Sequence, residues 1–155
     1  MADPRIVKFR GTYEPFSMFY DAPFEMYGIT FPTGEHALHW HKTTNNSEKL
    51  EVLNSVTPQA AKRIGRRVTL VSNWDSIREE IAYKINMAKF SQNPDLKRLL
   101  LSTGDTELIE GNTWHDNIWG SCSCGQRSTC GNGRNMLGKI LMRVRHDLRA
   151  GVKAA

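Results

Sequence analysis

Trp74, Ile77, Ile81, Ile85 and Ala88 recur at three- and four-residue steps, the strongest periodic stripe in the chain. Such steps stack side chains on one face of an α-helix. An apolar face of that length must be covered by other elements, so the fold has to assemble around it. A second stripe, Leu137, Ile140, Leu141, Val144 and Leu148, follows Asn135 and makes the apolar face of a last helix. Between the two, Asn93-Pro94 starts a helix with Leu96, Leu99 and Leu100 apolar, and Gly104 suits its stop.

Further helices are expected before the first stripe. Thr33 can cap one running to about Thr43. Residues 45–56 read as helical with Leu50 and Leu53 inward, and Thr57-Pro58 reads as cap and first position of a helix ending near Gly65. Short strands are expected over residues 6–9, 29–31 and 107–110, and residues 13–24 and 111–133 read as loops. The sum is an α+β chain, a helix-rich single domain over 1–155 with a few short strands. A chain of 155 residues can bury a sizeable core without staples.

Apolar runs are too short to span a membrane, and Met1-Ala-Asp-Pro-Arg5 has no apolar signal core. Cys122, Cys124 and Cys130 cannot all pair within one chain, which fits a reducing cytoplasm. The net charge of +5 points to an anionic partner. Lys62, Arg63, Arg66 and Arg67 form one basic cluster; Arg134, Lys139, Arg143, Arg145, Arg149 and Lys153 form another. Most such residues serve as solvated helix faces, and a phosphate-bearing ligand needs only one or two of them.

The helix after Thr33 carries Glu35 at its second position, in the positive field of the helix end. His39 and Lys42 follow at steps that place all three on one face. A carboxylate, an imidazole and an amine together exceed what packing needs, although spacing alone favours a solvated polar face with Leu38 inward. Asp116 lies between Trp114 and Trp119 in a glycine-bounded loop. Loops holding large aromatics often wall a ligand site, where an indole stacks a planar base and a carboxylate acts on its sugar.

The segment 131–138 is glycine-rich and opens the last helix. Its amides can hold a phosphate, though it matches neither the P-loop nor the dinucleotide fingerprint, and a plain capping loop is the simpler reading. His115 with Cys122, Cys124 and Cys130 offers four zinc ligands. Their spacing is crowded, without the separated pairs of usual structural sites, so no metal is expected. His36, His39 and His41 spread around their helix and do not converge on a metal.

Taken in order, these pieces resemble the NADAR, or YbiA-like, family. The match runs through Phe9-x-Gly11, Phe16-Ser-Met-Phe-Tyr20, Phe31-Pro-Thr-Gly-Glu-His36 with Lys42, and Thr57-Pro-x-Ala-Ala-Lys62 with Gly65-Arg66. It continues through Trp74-x-x-x-Arg78, Ala88-Lys-Phe90, Leu99-Leu-x-x-Thr-Gly-Asp105, Asp116-x-x-Trp-Gly120 and Gly133-x-Asn-x-Leu-Gly138. The order and spacing of these pieces make the match specific. The resemblance implies an N-glycosidase, a hydrolase that breaks the bond between ribose C1′ and a nitrogen. It implies one of two substrates: ADP-ribose on a guanine base, free or in nucleic acid, or a phosphoribosylated intermediate of riboflavin synthesis. It implies catalytic roles for Glu35, Asp116 and Lys42, and substrate binding by Trp74, Trp119, Asn135, Phe19, Tyr20 and Gly133. No cofactor is implied. The family's Asn in the segment 16–20 is absent here, and the cysteine-bearing stretch between Gly120 and Gly133 is particular to this chain; both lie where substrate selection occurs.

Cleaving an N-riboside builds positive charge on the sugar, which a placed carboxylate stabilises. Glu35 suits that task or water activation, and Asp116 between indoles suits protonation of the departing base. Lys42 offers an imine with an opened sugar, or a simple cationic contact to phosphate. The main rival is a non-catalytic module that binds ADP-ribose or nucleic acid through the basic clusters. Two acids beside an anionic ligand speak against it, since they repel the ligand.

Overall fold

The computed structural model describes residues 3–128 and 130–154. Met1-Ala2 and Ala155, the ends of the expected single domain and of the N-terminal segment, lie outside the described residues. After a 3-10 helix (Gly11–Phe16) come β1 (Phe24–Met26), β2 (Ile29–Phe31), α1 (Gly34–Trp40), α2 (Asn46–Leu53) and α3 (Pro58–Gly65). They are followed by α4 (Trp74–Gln92), α5 (Pro94–Ser102), β3 (Gly111–Asn112), β4 (Ser121–Cys122) and α6 (Met136–Arg149).

Both apolar stripes meet in one core. Helix α4 packs on α6, α1, α5 and β1, while α1 is flanked by α2 and α3. Trp74, Ile85 and Ala88 are buried with Phe16, Phe31, Phe90, Leu137, Ile140 and Val144, and Ile77 and Ile81 pack against that cluster. Helix starts follow local chemistry. The side chains of Thr33, Asn45 and Thr57 accept the amide N–H of His36, Glu48 and Ala60, respectively. Each bond satisfies an amide that the first turn leaves unpaired. Pro58 and Pro94 sit at helix starts, where a missing N–H costs nothing.

Strand expectations fare less well. The hairpin β1–β2 pairs Phe24 with Phe31 and Met26 with Ile29, so a strand stands where a loop was expected to end. Its turn is Tyr27-Gly28, both at positive φ (57° and 75°), which matches the twist of a two-residue hairpin. Residues 6–9 form no strand; they contribute one parallel bridge, Ile6 to Leu108. The strand expected at 107–110 gives way to β3, which pairs in parallel with β4 inside the long loop. Leu50 is 57% exposed, and Val52 is the residue α2 buries. Among the described residues, no helix is long and apolar enough to cross a membrane.

Candidate active site

Helix α1 and the residues just after it present a carboxylate and an amine to the same space. Thr33 caps the helix, and the Glu35 amide donates to the Met18 carbonyl at 2.9 Å. Glu35 is thereby held at the helix end with its side chain buried. The N–H of His39 Nε2 donates to Glu35 Oε1 at 3.2 Å, one turn along. Lys42 lies just beyond the helix, where its carbonyl accepts from the Val71 amide at 2.8 Å. Glu35, Leu38, His39 and Lys42 all line one cavity of about 580 Å³. The face that spacing alone left solvated is buried at Glu35, Leu38 and His39 and lines the cavity.

The cavity's other walls come from far along the chain. Trp74 at the start of α4 and Trp119 of the long loop line it, and Trp114 and Asp116 join them. Glu35 and Asp116 therefore share a single cleft. Phe19 lines it too, with Lys62 Nζ 5.5 Å from the ring centre. Arg10, Lys62, Arg66 and Arg78 add positive charge to the wall. Arg78 Nε is buried without a hydrogen-bond partner, so its guanidinium has donor capacity to spare. Burial lowers the pKa of Lys42; Glu35 opposes that, and Lys62, Arg66 and Arg78 reinforce it.

Glu110 is a cavity residue that the sequence did not single out for chemistry. Burial, and then the nearby Asp116 carboxylate, push its carboxyl up to about 7. Its Oε2 is buried with no hydrogen-bond partner. Asn135 sets its position: Oδ1 accepts the Glu110 amide and Nδ2 donates to the Leu108 carbonyl, both at 2.9 Å. Asp116 is held differently, with Oδ1 accepting the amides of Ile118 and Trp119 at 3.1 and 3.0 Å. That turn fixes one oxygen of a carboxylate that lines the cavity.

Three residues expected to bind substrate do not line the cavity. Asn135 is buried at the head of α6 in left-handed backbone (φ 51°) and positions Glu110. Gly133 is required by close packing: a Cβ there would stand 2.5 Å from the Gly120 carbonyl oxygen. Tyr20 is not among the lining residues, and its neighbour Phe19 takes the wall position. The amides at the head of α6 are not free for phosphate either. Those of Arg134, Asn135, Met136 and Leu137 donate to the carbonyls of Asn117, Gly120, Ile118 and Trp119, respectively. This tie anchors the Asp116 loop to the helix.

The basic clusters divide. Lys62 and Arg66 face the cavity. Of the C-terminal group, Arg145 is buried on Thr103 and the Thr106 carbonyl, Arg143 pairs with Glu80, and Arg149 pairs with Asp105. That second cluster is largely spent on packing α6. The four residues whose crowded spacing argued against a metal are nonetheless brought together: side-chain ligand atoms of His115, Cys122, Cys124 and Cys130 lie within 4.8 Å of one another. The His36 ring bonds the capping Thr33 hydroxyl through Nδ1 and the Ser55 carbonyl through Nε2, and His41 meets Tyr27, so these imidazoles are structural.

The NADAR domain matches residues 8–149. The N-glycosidase YbiA of Escherichia coli strain K12 is 34% identical over 148 residues, covering 92% of this chain and 88% of the relative. The riboflavin biosynthesis protein VVA0006 of Vibrio vulnificus is 35% identical over 133 residues, covering 84% of this chain and 34% of the relative. The NMR structure of E. coli YbiA superposes with a TM-score of 0.82 at 33% identity, over 97% of this chain and 89% of that one.

Proposed function

This chain belongs to the NADAR family, and from that premise we propose that its cavity hydrolyses the ribose C1′–N bond of a phosphate-bearing N-riboside. It is a hydrolase of N-glycosyl bonds, and ADP-ribose attached to guanine is the substrate we favour. One observation carries the reading: Glu35, Glu110, Asp116 and Lys42 share a cavity with Trp74 and Trp119 and a cationic wall. The volume is within the usual range for small-molecule sites, about 300–1,000 Å³. Lys62, Arg66 and the unpaired Arg78 Nε supply donors for phosphate oxygens, which supports a diphosphate-bearing substrate over a bare nucleoside. A phosphoribosylated pyrimidine meets the same requirement with fewer phosphates and is the second candidate.

As the C1′–N bond breaks, its electron pair leaves with the base and positive charge grows on the sugar. Glu35 and Asp116 stabilise that charge in a site walled by indoles. The departing nitrogen needs a proton. Glu110, whose carboxyl holds one up to about pH 7, is the group we assign to supply it, in place of Asp116. Water then adds to C1′ and gives up a proton to Glu35.

Lys42 supports a covalent variant of the same reaction. Its amine has a lowered pKa, which raises the fraction available as nucleophile. The amine forms a bond to C1′ as the base leaves, the ring opens to an imine, and water releases the sugar and restores the amine. Borohydride added during turnover reduces such an imine, leaving a mass increase of the sugar on Lys42. Turnover without any adduct assigns Lys42 to phosphate binding. Presenting ADP-ribosylated guanine and a phosphoribosylated aminopyrimidine in parallel, with mass detection of released sugar, decides the substrate. Saturable binding of ADP-ribose with no release from either would favour a binding module.

A further inference from the structure

The loop between Asn112 and Asn135 carries Trp114, Asp116 and Trp119 into the cavity, yet it has almost no core of its own. Cys122 is its one buried apolar side chain between Thr113 and Arg134 among the described residues. Backbone pairing of β3 with β4 and the ties to α6 hold its two edges. Its middle is gathered around three thiols and one imidazole. We propose that His115, Cys122, Cys124 and Cys130 bind one zinc ion that cross-links this loop.

The distances fit a tetrahedral ion. His115 Nδ1 lies 3.8 Å from Cys122 Sγ, 3.3 Å from Cys124 Sγ and 3.5 Å from Cys130 Sγ. Cys124 Sγ and Cys130 Sγ are 3.4 Å apart. A tetrahedron with Zn–S of ~2.3 Å and Zn–N of ~2.0 Å has S···N edges of roughly 3.5 Å and S···S edges of roughly 3.8 Å. The nitrogen-to-sulfur edges already match, and the sulfur pair opens by a few tenths of an ångström to admit the ion. Three thiolates with one imidazole form a soft donor set that selects zinc over calcium or magnesium.

The surrounding backbone is built for thiolates. The amides of Cys124 and Gln126 donate to Cys122 Sγ and Cys124 Sγ, each at 3.4 Å. Asn117 Nδ2 points at Cys130 Sγ at 3.7 Å, while Asn117 Oδ1 accepts the Cys122 amide. Donors to ligating sulfurs are the outer partners that orient a metal site. His115 adopts left-handed backbone (φ 70°), which brings its imidazole back over the cysteines only two residues after Thr113. That conformation is uncommon for a residue with a side chain and is maintained when something holds the ring. The site adjoins Asp116 in sequence but contributes no residue to the cavity lining. Its role is structural, holding the acid and the indoles in place.

The test is metal content of the protein purified under reducing conditions without added chelator. Elemental analysis should find zinc near one equivalent per chain. Cobalt exchanged into the protein should give thiolate-to-cobalt charge-transfer and tetrahedral visible bands. C124S and C130S, at half-exposed positions that tolerate the change, should lose the zinc and the bands. Chelation should raise amide hydrogen exchange across residues 113–133 and leave α4 and α6 protected. Fully reduced wild-type protein that carries no zinc and gives no cobalt band overturns the site. So does a Cys124–Cys130 disulfide in protein kept anaerobic throughout.

Discussion

Glu110 is a carboxyl whose burial works for chemistry and against stability. With its pKa at about 7 in the folded chain and 4.5 as the ordinary value, the folded state holds its proton where the unfolded state releases it. Its stability contribution is complete below pH 4.5 and is lost as pH rises to about 7. Glu110→Gln keeps the neutral shape, so it should stabilise the fold at pH 8 by up to about 3 kcal/mol and change little at pH 4. Thermal melts at both values check this. The same substitution should remove the alkaline limb of the wild-type rate profile, because only the protonated acid can serve the leaving base. Glu35→Gln should cut kcat by about 100-fold or more with an unchanged melting temperature. Asp116→Asn keeps the oxygen that accepts the Ile118 and Trp119 amides, so its loss of rate would report charge rather than loop collapse. Glu35 was legible in the sequence because a cap and a helical face are local facts. Glu110 was not, because its altered acidity comes from burial and from Asp116, and its position from Asn135, which lies 25 residues on.

At the scale of elements, α1 and α3 touch through a glycine. A Cβ at Gly65 would stand 2.1 Å from His39 Nδ1, so only glycine lets the helices close over that imidazole. Gly65→Ala should displace His39, disturb the His39–Glu35 pair and destabilise the fold by about 1–3 kcal/mol. A fall in both melting temperature and kcat would show the packing and the carboxylate to be coupled; an unaltered kcat would separate them. Helix starts were readable because Thr33, Thr57-Pro58 and Pro94 act on their own first turns. Strands were not. The pairing of Ile6 with Leu108 and of β3 with β4 depends on partners far apart in sequence, and two-residue ladders leave no periodic trace. The head of α6 read as a phosphate loop by composition, but the 117–120 carbonyls take its amides.

For the whole molecule, positive charge is concentrated where a phosphate-bearing substrate would enter. The net charge of +5 is a blunt signal, and the fold sharpens it by committing Arg143, Arg145 and Arg149 to packing and ion pairs while Lys62 and Arg66 face the cavity. Lys62→Ala should therefore raise KM several-fold with little change in kcat, and added salt should raise the wild-type KM in the same direction. The central claim is that one cleft detaches a base from its ribose. Its most direct test follows an ADP-ribosylated guanine substrate by mass spectrometry with wild-type protein and Glu35→Gln side by side. The account expects free ADP-ribose and unmodified guanine from the wild type, and intact substrate with the folded variant. Equal product from both proteins, or none from the wild type with either an ADP-ribosyl or a phosphoribosyl substrate, would contradict it.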